Sequence, residues 1–414
     1  MRGDGAGRVI EQYLTGYAEP EARGLLAAQS ELPAAAYEQT LVLPAYRESA
    51  ASLSQLRALL EQNSTLLVLV INQPEHEPNP HPANRALLAA AGSMGPLLWS
   101  RGRFALHQIT DTPSAVLVVD RFCSEPIPTR EGVGLARKIG TDLSLACIHL
   151  GMVRSHWIHC TDADCALHQD HFAPSQAQGP AAAALVFPFE HLCGDDPVGR
   201  ATRVWDLRLR HYVAGLRRAG SLYAFPTLGS ALAVQAPAYA QVRGFPKRSG
   251  GEDFYLLNKL AKVAPVVDLA QSNVPGQPMV RIRARLSDRV PFGTGPSVRA
   301  LLDHPEPETV PVFEHPQVFV ELGMCLNALP RLEGVELGAL GLGDSASRAL
   351  EHLGVGAAIQ HARANSRGPV TFTRHLHNWF DALKTLRWLH LMREAGYPNQ
   401  SLQQLQRSAA ALAG

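Results

Sequence analysis

The sequence is short of cysteine, of surplus charge and of long apolar runs, and each shortage excludes something. Six cysteines, Cys123, Cys147, Cys160, Cys165, Cys193 and Cys325, are scattered along 414 residues, mostly in apolar surroundings, and form no disulfide framework. The formal net charge is +1, and acids and bases are interspersed. A nucleic-acid partner, which usually needs a basic stripe, is therefore not expected. A local basic site for a small anion is still allowed. The longest apolar runs, such as "TLLVLVI" (65–71), fall far short of the ~20 residues a membrane helix needs. The first twenty residues lack the apolar core of a signal peptide. A soluble cytoplasmic chain without a transmembrane segment is the expectation, with peripheral membrane contact left open. Three motifs are also missing: the Gly-x-Ser-x-Gly elbow, the Walker loop, and a Gly-x-Gly-x-x-Gly after the first strand. Hydrolase, kinase and dinucleotide-oxidoreductase readings lose their main support.

What is present is a globular composition, 46% apolar and 18% charged. At ~150 residues per domain, the length suggests two or three units. Residues 1–36 read as a helical lead-in. "QTLVLPAY" (39–46) reads as a strand stopped by Pro44, followed by a helix over 49–62 with Leu53, Leu56, Leu59 and Leu60 on one face. Further strands are expected at 64–71, 114–120, 155–161 and 182–190, with a helix over 130–150. A four-proline loop, 72–85, excludes regular structure. Short apolar strands alternating with helices predict an α/β fold, a mainly parallel sheet covered on both faces. Ligands in such sheets bind beyond the carboxyl ends of strands. The loops after Leu43, Ile71, Asp120 and Thr161 are therefore the places to look. Residues 37–296 form the expected sheet domain and 297–414 a helical appendage. In the appendage, Leu376, Trp379, Phe380, Leu383, Leu386 and Leu389 recur at helical spacing as a packing stripe.

The stretch "WIHCTDADCALHQDH" (157–171) is crowded with metal-binding side chains. Asp162 and Asp164 follow a buried strand, and a turn can aim both carboxylates at one cation. Hard oxygen ligands select Mg²⁺ or Mn²⁺, which take their remaining ligands from water and a substrate diphosphate. Such a metal would neutralise charge on a departing diphosphate. A solvated turn is the plainer alternative. Cys160, Cys165, His168 and His171 lack the usual Cys-x₂-Cys zinc spacing, and Cys160 falls inside a strand pattern. The roles of His168 and His171 stay open.

A second acidic pair, Glu252 and Asp253, opens a helix after the flexible Ser249-Gly250-Gly251. Acids in a first helical turn complement the helix dipole. Alternatively Asp253, with Glu252 beside it, is a general base for an attacking hydroxyl. "SDRVPFGTG" (287–295) offers Arg289 and a Gly-Thr-Gly turn, either a phosphate cradle or an ordinary turn. Arg137 and Lys138, early in their helix, face either phosphates or solvent.

Four stretches together resemble the family-2 glycosyltransferases of the GT-A fold. They are "LVLPAYRES" (41–49), "GLARKIGTDLSLA" (134–146), "IHCTDADC" (158–165) and "GFPKRSGGEDFYLLNKL" (244–260), in the family's order. The resemblance implies a nucleotide-diphospho-sugar donor, a hydroxyl acceptor and a divalent cation, Mg²⁺ or Mn²⁺, at Asp162 and Asp164. It implies that Pro44, Ala45, Tyr46 and Glu48 lie near the base and ribose, and that Asp253 is the base of an inverting, hexosyltransferase-like reaction. Two positions depart from the family pattern: Asn72 stands where an acid usually ends the second strand, and Gln235-Ala236 where a basic pair is common. Asn72 can still hydrogen-bond a base edge or ribose. These departures motivate one alternative, a catalytically weakened domain that binds a nucleotide, a glycan or a partner. A nucleotidyltransferase would need a Gly-rich loop after the first strand, which "LPAYRESAASL" does not provide.

Overall fold

A computed structural model describes residues 3–413 apart from 124, 180, 273–275 and 292, with side chains from 5 to 407. The chain divides into two compact units: 1–192 with 227–296, and 193–226 with 297–414.

The first unit is α/β. Its strands are β1 (Gln39–Ala45), β2 (Thr65–Asn72), β3 (Leu97–Arg101), β4 (Phe104–Gln108), β5 (Ala115–Arg121), β6 (Trp157–Cys160), β7 (Cys165–Ala166), β8 (Ala184–Val186), β9 (Phe189–Leu192), β10 (Leu232–Gln235), β11 (Val266–Asp268) and β12 (Val280–Arg283). Nine of them form one sheet in the order β11-β8-β10-β6-β1-β2-β5-β4-β3. Its centre, β6-β1-β2-β5, is parallel, and antiparallel pairs flank it on both sides. Every residue of β1 and β2 is buried, as strands covered on both faces require. Alternation sorts their side chains. Leu41, Leu43, Leu67, Leu69 and Ile71 pack with Leu53, Leu59 and Leu60 from the helices Ala51–Gln55 and Arg57–Gln62 and with Leu56 between them. Val42 and Val70 face the helix Gly132–His149, where a Cβ on Gly140 would stand 2.4 Å from Val42 Cγ1. That glycine lets the helix lie close on the sheet.

Several expectations are corrected. Pro44 does not stop β1, which continues to Ala45 with Pro44 opposite Val70. Proline is tolerated because β6 pairs only with Thr40–Val42, so no ladder partner waits for the missing N–H. The run 182–190 is two strands: β8 in the large sheet, and β9, beyond Pro188, in a small sheet ordered β7-β12-β9. Residues 1–36 are helical at Gly3–Gly16 and Pro20–Ala27, but both helices belong to the sheet unit.

The second unit is helical, and its limits differ from the expected 297–414. The helix Pro197–Arg218 belongs to it, not to the sheet domain. Leu216 and Ala219 pack there with Phe319, Leu322, Phe372 and Trp388. The stripe from Leu376 to Leu389 is packing, but it spans two helices, Pro369–Trp379 and Ala382–Glu394. Asp381 breaks between them and caps the second by accepting from Lys384 N–H. No helix among the described residues is long and apolar enough to cross a membrane.

Candidate active site

The carboxyl ends of β1 and β6 bring three acids together. Glu48, three residues past β1, is buried. Asp162 and Asp164 follow β6 in a tight turn closed by Cys165 N–H donating to the Asp162 carbonyl at 3.1 Å. Each acid meets arginine. Arg285, just past β12, donates Nε–H to Asp164 Oδ2 at 2.8 Å and both terminal nitrogens to Glu48, at 3.0 and 2.5 Å. Arg289 donates to the Tyr46 carbonyl at 2.7 Å and to Glu48 as well. Arg137 donates to Asp162 Oδ1 at 2.9 Å. Three carboxylates and three guanidiniums offset one another. Burial pushes the Asp164 carboxyl up, the Arg285 charge pulls it back, and the charges of Asp162 and Glu48 push it further up.

Glu252 and Asp253 open the helix Glu252–Leu260 after Gly251, whose φ of +68° favours glycine. Glu252 is buried and accepts from Arg137 Nε at 3.0 Å. Asp253 is half-buried as a residue, and its Oδ1 accepts from the Phe254 N–H at 2.7 Å. Desolvation, then the neighbouring Glu252 charge, push its carboxyl up to about 7. Arg137 and the N–H groups of Phe254 and Gly229 pull the other way. A cleft of about 330 Å³, lined by Arg130, Glu131, Lys247, Arg248 and Ser249, adjoins the segment leading into this helix.

The structure brings together Glu48, Asp162, Asp164 and Arg289, and links them through Arg137 to Glu252. Pro44 and Ala45 are buried at the end of β1, where Asn72 Nδ2 donates to the Ala45 carbonyl at 3.1 Å. Tyr46 donates its hydroxyl to Glu77, which also pairs with Arg47. Two expectations are corrected. Arg137 faces neither solvent nor open space, being buried among protein partners. Lys138 points away from the site, to Asp142 at 2.8 Å and the Tyr13 hydroxyl, because its helix face turns toward Gly3–Gly16. Asp120, at the end of β5, accepts from the N–H groups of Phe122 and Cys123, closing its own turn.

Sequence reasoning misses Arg285, Asn84 and Gly229. Arg285 ends the alternation Arg281, Arg283, Arg285, a period-two signal that could have flagged it. Asn84 is buried and accepts from Arg47 N–H at 2.9 Å; it lies in the helix Pro82–Gly92, which begins inside the stretch expected to be irregular, and ties that helix to the turn after β1. The zinc ligands are not assembled. Cys160 and Cys165 are buried, and burial pushes the Cys160 thiol up to about 11. His168 is largely exposed, whereas His171 is buried and stacked on Phe187. Among the described residues no group of three or more His, Cys, Asp or Glu side chains converges as a metal site.

No family profile matches the chain, and no curated protein matches it. Among solved structures the chain is similar to S. aureus TarS 1–349 in complex with UDP-GlcNAc, at 11% identity and TM-score 0.38, over 83% of this chain and 91% of that one. Uncomplexed TarS 1–349 gives 11% identity and TM-score 0.34, over 83% and 90%. The longer TarS chain gives 10% and 0.32, over 86% of this chain and 54% of that one.

Proposed function

We propose that the chain is a glycosyltransferase that moves a sugar from a nucleotide-diphosphate donor to a hydroxyl acceptor with inversion. The observation carrying this reading is the pair of acidic groups, Asp162/Asp164 on the turn after β6 and Glu252/Asp253 in the first turn of a helix, joined by one buried arginine. An in-line displacement needs a base on the acceptor side and positive charge on the diphosphate side. Asp253 suits the acceptor side, because a carboxylate with a proton affinity near neutrality removes a hydroxyl proton effectively at ordinary pH. Arg285 and Arg289 suit the diphosphate side, exchanging Glu48 for donor phosphate oxygens. Pro44, Ala45, Tyr46 and Asn72 would border the base and ribose.

Asp162 and Asp164 fit a divalent cation as a two-carboxylate site. Asp162 keeps a carboxylate oxygen beyond the one held by Arg137, and 37% of its side chain is accessible. Two hard oxygen donors on one turn suit Mg²⁺ or Mn²⁺ completed by water and diphosphate. When bound, the ion would neutralise charge developing on the departing diphosphate.

A second reading is a binding module with little turnover. The acid-poor end of β2 at Asn72, and carboxylates already occupied by arginine, favour it. Calorimetry with UDP- and GDP-sugars, with and without Mn²⁺, followed by transfer assays on a hydroxyl-acceptor panel, separates the two. UDP-GlcNAc is the first donor to try. Binding without transfer to any acceptor would sink the enzyme reading in favour of the module.

A further inference from the structure

Helix Gly132–His149 delivers one guanidinium to three protein partners. Arg137 donates Nε–H to Glu252 at 3.0 Å, Nη1–H to the Gly229 carbonyl at 2.9 Å and Nη2–H to Asp162 at 2.9 Å. Its side chain is 2% accessible, so no arm is left for bulk water. The approach to Gly229 needs glycine, since a Cβ there would stand 2.7 Å from Nη2. The N–H of Gly229, on the peptide preceding that carbonyl, faces Asp253. Asp253 is therefore held twice by groups that Arg137 grips: through Glu252, its chain neighbour, and through Gly229.

We propose that Arg137 is a positioning residue for Asp253: by pinning Glu252 and the Gly229 peptide in one buried fork, it fixes the direction in which the Asp253 carboxylate faces an acceptor hydroxyl. The role rests on the transferase reading above. The third arm ends on Asp162, so the acceptor side and the diphosphate side of the reaction share one rigid group. Lysine would not substitute, because a point charge lacks the planar fork that reaches three acceptors. The charged groups acting on Asp253 are Glu252 from its own helix and Arg137 from the helix packed against it, with the Phe254 and Gly229 N–H groups beside them. Without Arg137, Asp253 loses the cation that pulls its carboxyl down and binds its proton more tightly beside the Glu252 charge.

Carboxylate ¹³C NMR titration of the full chain tests this without any substrate. Asp253 and Glu252 are assigned by the resonances lost in Asp253→Asn and Glu252→Gln. In Arg137→Met the upper titration step of the pair should rise by about one pH unit or more, a tenfold or greater gain in proton affinity. In Arg137→Lys, which keeps the charge but not the fork, the rise should be smaller, roughly half a unit. An unmoved titration in a folded Arg137→Met overturns the proposal. Should that variant fail to fold, an unmoved titration in Arg137→Lys overturns it instead. A shifted titration in a chain whose parent transfers sugar from no donor upholds Arg137's hold on Glu252 and Asp253 but sinks the transferase reading, and the acceptor-facing role with it.

Discussion

Arg285 donates its Nε–H to Asp164 at 2.8 Å, across 121 residues of sequence. The same guanidinium holds Glu48, 237 residues away. Two acids that sequence reading assigns to different parts of a donor site thus share one cation.

Replacing that cation should expose the repulsion it masks. Arg285→Met leaves Glu48 and Asp164, both largely buried, acting on each other, with Arg289 still on Glu48 but the guanidinium on Asp164 gone. Breaking a partly buried network of this kind costs on the order of 2 kcal/mol. Thermal unfolding should show a lower Tm for the variant. Added Mn²⁺ should restore more of the loss in Arg285→Met than it adds to the wild-type chain. Equal Mn²⁺ effects in both would count against a cation site at Asp162 and Asp164.

Asp253→Asn should abolish transfer, lowering kcat by roughly 10²–10⁴-fold, while leaving donor affinity by calorimetry unchanged. The pH profile carries a second expectation. The Asp253 carboxyl is pushed up to about 7, so the base is protonated below that pH. The rate should fall on the acid side of about pH 7 and level off above it. A profile still flat at pH 5.5 would remove Asp253 from the base role.

Acid should destabilise the fold through a buried histidine pair. His159 and His171 lie with ring centroids 5.1 Å apart, against Phe172 and Phe187. His159 gives one ring nitrogen to Ser175, but its Nδ1 and both nitrogens of His171 find no partner among the described residues. Burial holds both imidazoles below the usual range, His171 at about 3. The unfolded chain therefore binds protons that the folded chain refuses. This contribution is fully present above about pH 6.5 and is lost as pH falls toward 3, by about 1.4 kcal/mol per pH unit for each ring. Urea unfolding at pH 7.5 and 5.5 measures it. His171→Phe, which replaces the unpartnered ring by an apolar one, should flatten the dependence.

The first helix should prove integral to the sheet unit. Asp142 is fully buried and accepts from the hydroxyls of Tyr13 at 2.6 Å and Tyr239 at 2.8 Å, from Lys138 at 2.8 Å and from Glu19 N–H at 2.8 Å. Asp142→Ala removes the closest acid from the buried Lys138 ammonium, leaving Glu19 at 3.8 Å, strips four donors of their acceptor, and should cost about 3–5 kcal/mol. Tyr13→Phe, removing one donor, should cost about 1–2 kcal/mol. Chemical denaturation of both variants checks the ranking, and an Asp142→Ala chain as stable as Tyr13→Phe would refute it.

The legible parts of the fold are the strands buried on both faces. β1, β2 and β5 show as unbroken apolar runs because no side of them meets water. β3 is illegible for the opposite reason: at the sheet edge its residues are exposed apart from Trp99, and its apolar run, Leu97–Trp99, is too short to mark a strand. The run 182–190 reads as one strand because apolar content carries no record of which sheet each half joins. The helix Pro197–Arg218 falls to the wrong unit because its partners, Phe319 and Leu322, lie a hundred residues onward. In the site, Asp162, Asp164 and Asp253 stand out through local spacing. Gly229 does not, since its partner Arg137 lies 92 residues away, and Arg285 shows only through its alternation with Arg281 and Arg283. Lys138 misleads because helical phase, not proximity in sequence to Arg137, decides what a side chain faces.

The small sheet has a bearing on transplanting such a site. Asp164 immediately precedes β7 and Arg285 follows β12, and Ile282 lies opposite Cys165 where the two strands pair antiparallel. The acid and its arginine therefore meet only while that alignment holds. A slip of one residue along β12 would turn Arg285 to the opposite side of the ribbon and leave Asp164 beside a backbone. Anyone grafting this chemistry onto another α/β scaffold would have to move the paired strands as one cassette, because the six side chains alone carry no instruction for finding each other.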